Sequence, residues 1–263
     1  MTTPTGRTDR TLQPQEPHRG KRSAFARVPS AVRLQFSPAV TLIGVPLSVF
    51  FAAWLIAVGI GWWIHTMQGS GDSSGEPMFT GAAQAPLWAL VFVAAYSASH
   101  TFPFSMALSY SRRTFMLGVI LAFGLVSVAF GAAFILAAWI ERVTDGFGMH
   151  FYTFNLPYLT QGSGGIVAAG ALAATLCLVL MMVGFFWAIL YLRAGLFTLW
   201  VIILGLAVVG LAGTMLIFQN DGWPVIWEWI MQQSALSLTG WLAILAVGLA
   251  GLNYGVIRRA TPA

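Results

Sequence analysis

Along the chain, long uninterrupted apolar runs alternate with short polar stretches. Six runs stand out, at roughly 39–66, 85–108, 116–140, 165–192, 196–218 and 235–256. Each is long enough to cross about 30 Å of hydrocarbon as a helix. Lipid offers no partners to backbone amides, and the runs lack the alternation of barrel strands, so the pattern predicts membrane-spanning helices. The polar links are a loop at 67–84, a basic turn around Ser109–Phe115, a loop at 141–164, a tight turn at Tyr191–Gly195 and a loop at 219–234.

Two shorter elements follow from periodicity. In 29–36, Val32, Leu34 and Phe36 interleave with Arg33 and Gln35, the pattern of a short amphipathic helix along the inner interface, with a plain linker as the competing reading. In 219–234, Trp223, Ile226, Trp227 and Ile230 recur at helical spacing with Pro224 in the first turn. This predicts an amphipathic helix on the outer leaflet, capped by Asn220 or Asp221. The loop at 141–164 is less periodic and is expected to form a partly ordered outer cap.

Composition agrees. Of 263 residues, 58% are hydrophobic and 8% charged, and the mean hydropathy is +0.79, far from the roughly one-quarter charge of soluble domains. Residues 1–28 are rich in Pro, Gly, Thr and Arg and read as a retained, disordered basic tail. Residues 29–259 read as one six-helix membrane domain and 260–263 as a short carboxy-terminal tail.

Charge sets the expected orientation. With the amino terminus inside, Arg7, Arg10, Arg19, Lys21, Arg22, Arg27, Arg33, Arg112, Arg113, Arg193, Arg258 and Arg259 are cytoplasmic, 12 of 13 basic residues, and only Arg142 is outside. Six of eight acidic residues, Asp72, Glu76, Glu141, Asp145, Asp221 and Glu228, fall outside. The positive-inside rule therefore predicts that both termini are cytoplasmic, and the net charge of +5 is topological rather than a sign of nucleic-acid binding. Trp62, Trp63, Trp139 and Trp223 mark the outer interface; Tyr110 and Tyr191 mark the inner.

Candidate chemistry is sparse. The interiors of the six runs carry no Asp, Glu or Lys, and Cys177 is the single cysteine, expected to be a small core hydrophobe. No histidines share ligand spacing, so no catalytic, metal or cofactor residues are assigned. The second run is the most polar. Ser97, Thr101 and Ser105 share a face, with His100 beside it and Pro103 following. Interhelical packing is one reading of this stripe and the wall of a substrate pathway the other. Two small-xxx-small pairs, Gly251 with Gly255 and Gly164 with Ala168, are weak signals of close helix approach. There is no phosphate-binding Gly-rich loop, and Lys21 is the only lysine, so any active transport draws on a gradient or a partner. Gradient-driven carriers often hold carboxylates in their spans, and their absence here favours an external motor.

The segment Ser109-Tyr-Ser-Arg-Arg-Thr-Phe-Met-Leu-Gly118 resembles the cytoplasmic coupling helix between the second and third spans of type-2 ABC transporter permeases, whose pattern is Gly-x-Ser/Thr-Arg-Arg-x-x-φ-φ-Gly with φ apolar. Ser111, Arg112, Arg113, Met116, Leu117 and Gly118 match, and Ser109 stands where many members have Gly. The resemblance extends to the basic interfacial segment, six spans and outer element between the fifth and sixth.

It implies a non-enzymatic subunit of an exporter. Two permease subunits would pair as a homo- or heterodimer in membrane lipid, and a cytoplasmic ABC ATPase would grip Ser111, Arg112, Arg113 and Phe115. The cargo would be amphipathic or hydrophobic, with Ser97, His100, Thr101 and Ser105 as pathway-lining candidates. The alternatives are a membrane-embedded accessory protein or, third, a small membrane enzyme using Glu141, Asp145, His150, Tyr152 and Asn155, whose spacing matches no catalytic motif.

Overall fold

A computed structural model describes residues 28–36, 40–68, 77–108, 111–162 and 164–258; the amino-terminal tail, the extreme carboxy terminus, and Ser109 and Tyr110 of the basic turn lie outside the described residues. The described chain is almost entirely helical, and five helices are long and apolar enough to cross a membrane.

The order is α1 (Val28–Gln35), α2 (Val45–Gln68), α3 (Gln84–Tyr96), α4 (Phe102–Ala107), α5 (Arg112–Val143), α6 (Pro157–Thr160), α7 (Gly165–Gln219), α8 (Gly222–Gln232) and α9 (Ala235–Arg258). A π-helical segment, Val40–Gly44, precedes α2, and another, Ser97–Thr101, joins α3 to α4. Both sit just before a proline, Pro46 and Pro103. A proline in a continuing helix lacks an N–H and clashes with the carbonyl four residues back, and a widened turn relieves that conflict.

At 55 residues, α7 would measure about 80 Å if straight, far more than one bilayer. It breaks at Gly195, whose φ of 73° and ψ of 172° are open in practice only to glycine. The predicted turn at Tyr191–Gly195 is this break.

The core gathers α3, α5 and the first half of α7 around Phe115, Phe123, Met181 and Phe185. At Gly184 a Cβ would lie 2.3 Å from the Val91 carbonyl oxygen, so the backbones of α7 and α3 meet at van der Waals distance there. Leu236 of α9 packs near Gly164, and Asn253 donates from Nδ2 to the Met182 carbonyl at 3.1 Å, so α9 runs parallel to the first half of α7. Gly251 and Gly255, by contrast, face open space and mediate no helix contact among the described residues.

The second half of α7 and all of α8 are almost wholly exposed, with Phe197, Val209, Phe218 and Trp227 outward. An all-round apolar helix of this kind is at home only in hydrocarbon or against other helices. Trp62, Trp63, Trp139 and Trp223 are also exposed, as interfacial rings should be. Helix α8 forms where periodicity predicts, but its cap differs. Asp221 adopts a left-handed backbone with no side-chain capping bond, and Asn220 instead donates from Nδ2 to the Leu216 carbonyl at 2.7 Å, closing α7.

Two links between long helices are zipped together. Strand β1 (Met78–Phe79) pairs in parallel with β2 (Phe151–Tyr152), extended by a bond from the Thr80 amide to the Tyr152 carbonyl.

Candidate functional site

The basic turn becomes specific once its side chains are traced. Ser111 has extended backbone and is the N-cap of α5, its Oγ accepting the Thr114 amide at 3.1 Å, the bond a helix start needs. Arg112 turns inward. Its Nη1 donates to the carbonyls of Arg258 at 2.6 Å and Ile257 at 3.3 Å, the last residues of α9. Those carbonyls have no intrahelical donors, and a guanidinium there also meets the negative end of the helix dipole. Arg113, next in sequence, is exposed.

Phe115 is fully buried, its ring 5.4 Å from Phe102 and 6.4 Å from Phe185. It anchors α5 in the core rather than presenting a surface to a partner. Gly118 is where α1 docks, since a Cβ would lie 2.9 Å from the Ala31 Cβ. The Ser-Arg-Arg-x-x-φ-φ-Gly pattern thus divides into a cap, a clamp on α9, an outward cation and a seat for α1. Helix α1 is a helix, as its periodicity predicts, and not a linker.

The polar stripe of the second span is internal. Ser97 and Ser105 are buried, Ser97 donating to Gln35 Oε1 at 2.5 Å and Ser105 to its own helix at the Phe102 carbonyl; Thr101 is buried with them. His100 is not part of that face. It is exposed, stacked on Tyr96 at 4.1 Å, with Nδ1 2.9 Å from Ser99 Oγ. The partner that sequence reasoning misses is Gln35, buried against α5 and the π-helical turn at Ser97 although its neighbours read as an interfacial helix.

At the other end of α5 the expectation of a bundle without buried acids fails. Helix α5 continues to Val143, and Glu141, assigned by hydropathy to an outer loop, lies within its last turn and is only 1% exposed. Its Oε2 accepts three consecutive backbone amides, Thr153 at 3.0 Å, Phe154 at 2.8 Å and Asn155 at 3.0 Å, and its Oε1 accepts Trp54 Nε1 at 3.2 Å. A buried carboxylate is tolerated only when so fully bonded. One side chain therefore ties the cap to α5 and α2. Phe50, Trp54, Phe134 and Phe154 pack as an aromatic cluster directly around this latch.

The cap has a second, exposed pin. Tyr152 donates its hydroxyl to Asp145 Oδ1 at 2.6 Å, and His150 Nε2 lies 3.3 Å from Asp145 Oδ2. Desolvation, followed by the adjacent Asp145, pushes the Tyr152 phenol up to about 12, so it remains a donor at neutral pH. Asp145, Phe147 and His150 all have positive φ, a strained run held by these bonds. The structure thus gathers the five outer-loop residues into two bonded groups, with Glu141 and the Asn155 amide in the latch and Asp145, His150 and Tyr152 in the pin. Among the described residues no three His, Cys, Asp or Glu side chains converge as a metal site, and Cys177 is buried.

No protein-family model, no curated protein and no solved structure matches this chain.

Proposed function

We propose that this chain is the membrane-spanning subunit of an ATP-driven exporter, of the type-2 ABC permease kind, with hydrolysis carried by a separate cytoplasmic ATPase. In this reading α7 crosses twice, its halves joined at Gly195, giving six spans with both termini in the cytoplasm of a plasma-membrane protein. A second permease subunit covers part of the exposed apolar surface, and the cargo is amphipathic or hydrophobic.

The observation that carries the reading is the mechanical linkage of the basic turn. Arg112 clamps α9, Gly118 seats α1, and α5 runs unbroken from that turn to the Glu141 latch, 29 residues or about 44 Å away. A force applied at Arg113 is therefore delivered to two inner-side elements at once, α9 and α1, and along one stiff helix to the outer cap. The exposed Arg113 guanidinium suits a carboxylate in a motor's groove because it can bond one bidentately, while Arg112 transmits the contact to α9.

An accessory role without transport is the second reading, and one observation favours it: the Arg112 guanidinium is engaged by the protein's own carbonyls. Purification in mild detergent from the native membrane separates the two. The exporter reading expects a stoichiometric chain containing a phosphate-binding loop. A preparation that carries no nucleotide-binding chain supports the accessory role.

A further inference from the structure

Beneath the outer cap lies an apolar pocket of about 120 Å³, between α5, the first half of α7 and the cap itself. Phe134 and Ala138 line it from α5, Phe154 and Leu159 from the cap, Ile166 and Ala173 from α7. An apolar cavity of this order accepts a benzene-sized or short hydrocarbon group and offers water few partners, Thr153 being the one polar residue in its lining. Its roof is held by Glu141, whose bonds fix Thr153–Asn155 over it.

Charge indicates what enters. Residues 134, 138 and 142 are four apart, so Arg142 stands one turn beyond Ala138 along the same side of α5, about 6 Å further from the bundle centre. Arg142 is exposed, is the only basic residue assigned to the outer face, and has no ion-pair or hydrogen-bond partner among the described residues. A cation one helical turn beyond a residue that lines a hydrocarbon pocket suits a phospholipid, with phosphate at the cation and the first acyl methylenes in the pocket.

We propose that this is a binding site for one outer-leaflet phospholipid, its phosphate on Arg142 and the upper part of one acyl chain in the pocket under the cap. The leaflet rests on the orientation proposed above, and the site itself stands whether or not the chain transports anything.

The test is photolabelling of the full-length protein in bilayer nanodiscs. The probe is a phosphatidylglycerol carrying a diazirine near the carbonyl end of one chain, and labelled peptides are identified by mass spectrometry. Label is expected on Leu159, Ile166 and Ala173 well above that on Val209, which faces open surface on the second half of α7. Arg142→Ala, at an exposed position, is expected to lower pocket labelling about five-fold, the effect of one arginine–lipid phosphate contact. Ala173→Phe is expected to abolish it. Labelling of the pocket no greater than that of Val209, labelling unchanged in Arg142→Ala, or equal labelling by a diacylglycerol probe lacking phosphate would each overturn the proposal.

Discussion

Replacing Glu141 by alanine is expected to destabilise the protein by roughly 3–5 kcal/mol, the cost of stranding several buried hydrogen-bond donors at once. The carboxylate takes four hydrogen bonds from a site that is 1% exposed. Its loss leaves the amides of Thr153, Phe154 and Asn155 and the Trp54 indole without an acceptor, each costing about 1–3 kcal/mol if it stays dry. Water reaching the cap from the outer side offsets part of this, which is why the four costs do not simply add. For a chain of this size the change corresponds to a fall in Tm on the order of 10 °C, read by thermal unfolding in detergent. Glu141→Gln preserves shape but has one carbonyl oxygen where the carboxylate has two, so an intermediate loss is expected. Limited proteolysis supplies the local readout, since cleavage within 144–162 accelerates if the latch opens. A Tm for Glu141→Ala within a degree of wild type, with the cap equally protected, would refute the latch.

The second large effect is at the basic turn, where the two arginines separate. On the exporter reading, Arg113→Glu reverses an exposed charge and is expected to lower transporter-stimulated ATP hydrolysis about 30-fold or more, with a smaller fall in Tm than Arg112→Glu, because truncating one side of a bonded interfacial charge pair costs about 2–5 kcal/mol. Arg112→Glu acts differently. It sets a carboxylate against the carbonyls of Ile257 and Arg258, at the negative end of α9, and is expected to lower stability as well as activity. The informative pair of measurements is thus hydrolysis by the lipid-reconstituted complex and thermal unfolding of the same samples. Coupled hydrolysis unchanged in Arg113→Glu would count against the coupling role whatever the stability of Arg112→Glu.

The elements easiest to read from the sequence are those set by local pattern. The apolar runs, the break at Gly195, and the amphipathic α1 and α8 all follow from hydropathy and period, which short-range backbone physics imposes. What periodicity does not carry is the return of a distant segment. Glu141 reads as a loop residue because its burial is produced by Thr153–Asn155 folding back over it. Arg112 reads as a surface cation because its partners are 145 and 146 residues away. Phe115 reads as part of a docking turn although one helical step carries it into the core. His100 falls off the Ser97–Thr101–Ser105 face on a π-helical turn, whose register a 3.6-residue period does not describe. Gly251 and Gly255 match a packing motif yet touch nothing, whereas the same small-xxx-small spacing at Gly118 with Ala122 and at Gly184 with Ala188 falls where helices do meet. Close approach depends on which faces oppose one another, and that is decided in three dimensions.

The account rests on the basic turn lying in the cytoplasm against an ATP-binding chain. Its most direct test places a photoactivatable residue at position 113 in the intact cell and identifies what it captures. The account predicts one dominant adduct, to a chain bearing a phosphate-binding loop, that changes in yield when nucleotide is depleted. Capture of lipid alone, or reaction of a cysteine at that position with a membrane-impermeant reagent added outside, would contradict it.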